Sequence, residues 1–249
     1  MSKTILITGA SSGLGEEMAR QFADLGYDLA LCARRTARLE ALREQITARH
    51  PDRRVEVRGL DVTDDEAVFA VFEELRDAFG GLDRVIVNAG LGKGAPIGTG
   101  RYDANKQTAM TNFVAALAQT EAAMQIFRAQ GYGHLVMISS MSAVRGMPKA
   151  VTTYAATKAG VAHLAEGLRV ELDGTPIRIS VVYPGYIRSE MNEQVKSAPF
   201  MVSTEKGVRA IVDAVEKQRA RAYVPAWPWV PLGFALKHLP LPLAKKLMG

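Results

Sequence analysis

Short apolar runs alternate with longer stretches of helical periodicity along most of the chain, and this alternation restricts the fold more than any other feature of the sequence. The runs fall at residues 4–8, 29–33, 55–57, 84–87, 135–139 and 177–182. Between them, residues 14–25, 37–48, 64–79, 102–130 and 154–172 place apolar side chains at three- and four-residue steps, the spacing of helices that bury one face. Apolar strands separated by helices predict a parallel sheet covered on both faces, and right-handed crossovers make that a doubly wound α/β domain. Asp64 is placed to cap the third helix and Gly80-Gly81 to end it, while Pro184-Gly185 ends the sixth strand. No repeat or linker interrupts the 249 residues, so one domain over residues 1–249 is expected. Beyond residue 186 the alternation weakens. Residues 186–204 read as a lid segment beside the substrate, 205–217 as a helix, 222–224 as a last strand, and 225–249 as a tail rich in Trp, Pro and Leu.

Composition sets further limits. With 48% hydrophobic and 23% charged residues, wholesale disorder and a collagen-like fibre are excluded. The single cysteine, Cys32, cannot form an intramolecular disulfide and is expected to be a small buried hydrophobe. Residues 1–4 run straight into Ile5-Leu6-Ile7, too short a lead for a signal peptide, and no stretch reaches the ~20 apolar residues of a spanning helix. A reducing cytoplasm is the resulting expectation. Net charge is +5, from 31 Lys+Arg against 26 Asp+Glu, with much of the excess between Arg34 and Arg58. That segment holds no aromatic on which a base could stack, so nucleic acid gives way to a small anionic ligand or a solvated face. His50, His134, His163 and His238 are scattered without partners at ligand spacing, so no metal is expected; His163 is expected in the core or an interface.

The first run leads into Thr8-Gly9-Ala10-Ser11-Ser12-Gly13-Leu14-Gly15. Glycines there let the backbone turn tightly and approach a pyrophosphate, whose charge the next helix's N-terminus stabilises. Its place between strand one and helix one is the context of a Rossmann-type domain, although the spacing is Gly-x-x-x-Gly-x-Gly. On these residues the chain resembles the short-chain dehydrogenase/reductase family, which uses the Thr-Gly-x-x-x-Gly-x-Gly variant. The resemblance continues in order. Asp61-Val62 is similar to the family's adenine-contacting pair, and Asn88-Ala89-Gly90 to its turn beneath the cofactor. Asn112, Ser140, Tyr154 and Lys158 match its catalytic tetrad. Pro184-Gly185-Tyr186-Ile187-Arg188-Ser189 resembles its nicotinamide-side turn, with Ser189 where threonine is frequent. The resemblance implies cofactor contacts from Gly9, Ser11, Ser12, Gly13, Leu14 and Gly15, from Asp61, Val62, Asn88, Ala89 and Gly90, and from Tyr154, Lys158, Pro184, Gly185, Ile187 and Ser189. It also implies a homodimer or homotetramer paired through the helices of Asn112 and Tyr154, the latter apolar around much of its circumference.

Four residues apart on one helix, Tyr154 and Lys158 point to the same face. A phenol titrates near 10, and a neighbouring ammonium is expected to bring it toward the working range of a proton donor and acceptor. The resemblance implies that Lys158 also reaches the nicotinamide ribose and that Asn112 links it to solvent through water. Ser140 is the expected carbonyl-polarising hydroxyl. Its gap to Tyr154 is one residue longer than is usual in the family, which leaves Ser139 and Ser142 open. At the end of strand two, where NAD-binding folds place a carboxylate, the sequence reads Ala33-Arg34-Arg35. Guanidinium groups suit a 2′-phosphate, so NADP(H) is expected, with Arg34 ahead of Arg35.

Candidate substrate residues are Ser140, Met141, Val144, Met147 and Pro148, then Tyr186, Met191, Phe200 and Met201. That apolar, deformable set favours hydride transfer to or from a lipophilic aldehyde, ketone or secondary alcohol. A dinucleotide-binding scaffold or sensor is the alternative, against which the intact Ser140, Tyr154 and Lys158 argue. The tail carries both tryptophans, Trp227 and Trp229, with lysines and no acidic residue. It is expected to pack on the sheet edge, the substrate mouth or a neighbouring subunit, or else to make a peripheral contact with anionic membrane.

Overall fold

Apolar runs too short for helices pair side by side. Among the residues that this computed structural model describes, 3–193 and 198–248, seven strands form one sheet. They are β1 (Thr4–Thr8), β2 (Asp28–Ala33), β3 (Val55–Gly59), β4 (Arg84–Val87), β5 (Gly133–Ile138), β6 (Ile177–Pro184) and β7 (Arg221–Val224), all parallel, in the order β3-β2-β1-β4-β5-β6-β7. β1, β4 and β5 are buried at every position, as strands covered on both faces must be. Chain direction across the sheet reverses between β1 and β4, and open α/β sheets bind ligands beyond the strand ends at such a switch point. Residues 194–197 of the expected lid and residue 249 of the tail lie outside the described residues, as do the side chains of 246–248.

One face is covered by α1 (Gly13–Asp24), α2 (Thr36–Arg49) and α7 (Thr204–Glu216), which bury Met18, Phe22, Leu39, Ile46 and Ile211 against the strands. The other carries α3 (Asp65–Phe79), α5 (Ala115–Gln130) and α6 (Thr152–Glu171) over Phe72, Leu75, Phe127, Val161 and Ala165. The Asp64 carboxylate accepts the Ala67 N–H at 3.1 Å to cap α3, and Gly80 ends it at φ 74°. The unbroken helix expected over 102–130 is instead α4 (Tyr102–Ala109), a π-helical turn at Met110–Val114, and α5.

The tail, read from sequence as rich in Trp, Pro and Leu, forms two helices. These are α8 (Ala226–His238), bent at Trp227, and α9 (Leu241–Met248). Prolines near the start of α8 remove donors that a first turn leaves unpaired in any case. Arg145 donates to the Leu236 and Leu239 carbonyls at 2.7 and 2.5 Å and satisfies the far end. The two tryptophans part company. Trp229, 7% exposed, lies on Gly185 with the rings of Tyr186 and Phe200 at 5.8 and 6.2 Å, whereas Trp227 is 78% exposed. Among the described residues no helix is long and apolar enough to cross a membrane. His163 is not in the core: it is exposed, bonded to the Ala159 carbonyl. Cys32 is buried in β2, where desolvation pushes its thiol up to about 12.

Candidate active site

Around the switch point, the loops that follow β1, β4, β5 and β6 enclose a cleft of about 930 Å³. Thr8 fastens the two strand ends together. Its Oγ1 accepts the N–H groups of Asn88 and Ala89 at 3.0 and 3.1 Å, and Asn88 Nδ2 donates to the Thr8 carbonyl at 2.9 Å. The glycine turn then folds against this staple. Gly9 has φ 65°, and a Cβ on Gly15 would sit 2.4 Å from the Gly9 carbonyl oxygen, so neither position tolerates a side chain. Ser12 makes no side-chain cap on α1, which leaves first-turn N–H groups at the cleft for an anion. The backbone cradle that a dinucleotide pyrophosphate requires is therefore present.

At one end of the cleft stand Asp61 and the arginines. Asp61 accepts the Thr63 N–H and hydroxyl at 3.0 and 2.8 Å, bonds that hold its carboxyl below the usual range. Arg34 lies 3.8 Å from Asp61 and is otherwise exposed. Arg35 reaches further in, donating to Ser11 Oγ at 3.2 Å, Ser12 Oγ at 2.6 Å and Glu190 at 2.9 Å. Of the two arginines, Arg35 is the one that reaches the glycine turn, and Arg34 stays beside Asp61. Arg38 also bonds Glu190.

The other end holds Ser140, Tyr154 and Lys158. Lys158, on α6, is 5% exposed, and its ammonium donates to the Ile138 carbonyl at 2.9 Å; burial pushes it down to about 8. Tyr154 is half-buried with its phenol hydrogen-bonded to Ser140. Burial pushes the phenol above its ordinary value, and the Ser140 bond only partly opposes that. This corrects the expectation that Lys158 lowers Tyr154. The ammonium is engaged by Ile138 and lies 6.0 Å from the Tyr154 ring centroid, so desolvation dominates.

The three serines separate cleanly. Ser139 is buried and donates to the Lys158 carbonyl at 2.8 Å, anchoring α6 to β5. Ser142 donates its N–H and hydroxyl to Ser140 Oγ at 3.2 and 3.0 Å, in the short turn Met141–Val144 that Ser140 caps. Of the three, Ser140 is the one that bonds the Tyr154 phenol.

Asn112 occupies the π-helical turn, a distortion common at functional sites. Its amide exchanges bonds with the backbone of Leu91, at 2.6 and 2.8 Å, and so fixes the loop after β4. A Cβ on Gly90 would meet Asn112 Oδ1 at 3.2 Å and Lys158 Nζ at 3.4 Å, so both side chains border the same glycine.

Pro184, Gly185, Ile187 and Ser189 line the wall from β6, as expected, together with Met191, whose side chain crosses to Gly92. Of the nine candidate substrate residues, Ser140 and Met191 line the cleft, whereas Met141, Val144, Met147, Pro148, Tyr186, Phe200 and Met201 do not. Met141 is buried beneath α8, and Tyr186 packs on Trp229. The facing wall comes from Asp103, Lys106, Gln107 and Met110, which the sequence reading missed. They share one face of α4 and the turn after it at i, i+3, i+4 and i+7, but three of the four are polar, and helical periodicity points to apolar faces. Glu190 was missed as well, since its arginine partners lie more than 150 residues away in the chain.

Residues 3–199 match the family described as short chain dehydrogenase. An uncharacterized oxidoreductase of Mycobacterium tuberculosis is 53% identical over 242 residues, covering 97% of this chain and 96% of that protein. A short-chain dehydrogenase from Sphingobium yanoikuyae, solved in complex with NADPH, has a TM-score of 0.83 at 27% identity and covers 99% of this chain and 95% of its own. A short chain dehydrogenase/reductase from Burkholderia phymatum, solved in complex with NAD, shares the fold with a TM-score of 0.84 at 20% identity, over 95% and 93% of the two chains.

Proposed function

This chain belongs to the short-chain dehydrogenase family and is an oxidoreductase of that type; on that premise we propose that it moves a hydride between NADP(H) and the carbonyl or alcohol carbon of a lipophilic aldehyde, ketone or secondary alcohol. The observation that carries this reading is one cleft with a phenol–hydroxyl pair and a buried ammonium at one end, and paired arginines at the other. The glycine turn and α1 would hold the pyrophosphate, Asp61 and Val62 the adenine, Arg35 and Arg34 the 2′-phosphate, and Asn88–Gly90 with Pro184–Ser189 the nicotinamide half. When bound, the dinucleotide supplies or accepts the hydride at its nicotinamide C4.

The side chains handle the proton and the oxygen. Ser140 donates to the substrate oxygen and polarises the carbonyl. Tyr154, whose burial keeps its phenol protonated at neutral pH, gives that oxygen its proton in reduction and takes one back in oxidation. Lys158 presents a positive charge behind Tyr154, and Asn112 keeps the loop at Gly90 closed on that charge. Met191 and Met110 give the cleft its apolar lining. The reading includes a cytoplasmic setting and a homo-oligomer in which a partner covers the exposed Val114 and Leu117 beside α6.

A screen of carbonyl-dependent NADPH consumption over diverse aldehydes and ketones tests the proposal. Turnover with apolar members is expected; tight NADPH binding with no turnover on any carbonyl would favour the scaffold or sensor reading. The exposed Trp227, Phe234 and Leu241, with Lys237 and Lys245 beside them, support a second reading, peripheral contact with anionic membrane. Salt-sensitive co-sedimentation with anionic liposomes, lost in Trp227→Ser with Phe234→Ser, would support that contact.

A further inference from the structure

The guanidinium fork of Arg35 is already held by an anion of the chain itself. Two of its three nitrogens bond Ser11 and Ser12 of the glycine turn, and the third meets Glu190 Oε2 at 2.9 Å. Glu190 Oε1 bonds Arg38, and these two arginines hold its carboxyl below the usual range, so the group is charged. Glu190 is also fixed from its own side. It opens the short turn Glu190–Asn192, in which the Ser189 N–H donates to Asn192 Oδ1 at 2.9 Å and Asn192 Nδ2 to the Ile187 carbonyl at 2.7 Å. Ser189 borders Gly13, and Met191 lies on Gly92, so this turn spans the cleft from the glycine turn to the loop after β4.

A 2′-phosphate bound by Arg35 would need the Nη1 donor that the Glu190 carboxylate now takes, and would bring a second negative charge beside it. We infer that Glu190 is a specificity-determining residue: an internal anion, itself held by Arg38, that competes with the 2′-phosphate for Arg35 and leaves dinucleotides lacking that phosphate unopposed. The inference rests on the proposed cofactor reading and deepens it. Glu190 weakens selection for NADP(H) over NAD(H), and each phosphate that binds must take Arg35 from the turn carrying Met191.

Calorimetric titration with adenosine 2′,5′-bisphosphate and with adenosine 5′-monophosphate separates the two claims without any turnover. An exposed ion pair given up, with a second negative charge left beside the phosphate, corresponds to about three- to tenfold in affinity. Glu190→Gln is therefore expected to bind the bisphosphate about three- to tenfold more tightly and the monophosphate within about twofold of wild type, with the gain shrinking as salt rises. Unchanged or weaker bisphosphate binding in Glu190→Gln would overturn the inference. If wild type shows no preference for the bisphosphate but Glu190→Gln acquires one, competition by Glu190 stands and the NADP(H) reading of the native chain falls. If neither protein prefers it, both fall. Glu190→Ala, expected to behave as Glu190→Gln, guards against a new contact made by the amide; a folded Glu190→Ala with no gain would also overturn the inference.

Discussion

With its ammonium buried and bonded to the Ile138 carbonyl, Lys158 keeps its proton only up to about pH 8. The charge that would hold a dinucleotide is present below that pH and is lost as pH rises through it, so affinity for the cofactor should decline above pH 8. Lys158→Met removes the charge at every pH. It should bind dinucleotide about ten- to a hundredfold more weakly at pH 7, the scale of a charge-assisted hydrogen bond, and show no further loss above pH 8. Titration of cofactor binding from pH 6 to 9 checks both. The four-residue spacing of Tyr154 and Lys158 was readable from the sequence, but the order of effects on Tyr154 was not. Spacing says which groups are neighbours; it does not say how deep they lie or that Ile138 has already engaged the ammonium.

At the level of elements, local chemistry explains what could be read and what could not. β1, the Asp64 cap and the Gly80 stop fall where apolar runs and capping residues put them, because each depends on neighbours in the chain. The π-helical turn at Met110–Val114 and the helices of the tail depend on distant partners instead: Leu91 holds Asn112, and Arg145 holds the end of α8. No local pattern records those contacts. The tail's tryptophans make the difference measurable. Trp229→Ala opens a cavity at Gly185 and Tyr186 and should destabilise the fold by about 3–5 kcal/mol. Trp227→Ala, at an exposed position, should change stability by no more than about 0.5 kcal/mol. Urea unfolding of the two variants is the check, and equal effects would contradict the packing described.

Across the whole molecule, a buried polar network at the end of the sheet opposite the cleft joins elements from both halves of the chain. Arg84 of β4 donates to His134 Nδ1 of β5 at 3.0 Å and pairs with Glu216 of α7 at 2.6 Å, while His134 Nε2 bonds Ser180 of β6 at 2.8 Å. A charged residue inside an apolar run gives no sign of partners 50 and 132 residues away, so this network was not readable from sequence. Burial pushes His134 down to about 3 from its ordinary 6.5. The unfolded chain therefore binds a proton below about pH 6.5 that the folded chain refuses, and stability falls as pH drops from there toward 3. The slope from this one group approaches about 1.4 kcal/mol per pH unit. His134→Gln, less stable at pH 7, should lack that part of the slope in thermal unfolding between pH 7 and 5.

The same fold delivers Ser140 and Tyr154 to one end of the cleft, and the central claim is that they move a proton while a hydride crosses. NADPH deuterated at the transferable position of C4, incubated with an aldehyde or ketone taken from the screen, tests it most directly. Wild type should place one deuterium on the carbinol carbon. Tyr154→Phe, with NADPH affinity close to wild type, should do so about 10²-fold or more slowly, the range general acid catalysis supplies. A product without the label, or a folded Tyr154→Phe that transfers it at the wild-type rate, would contradict the account.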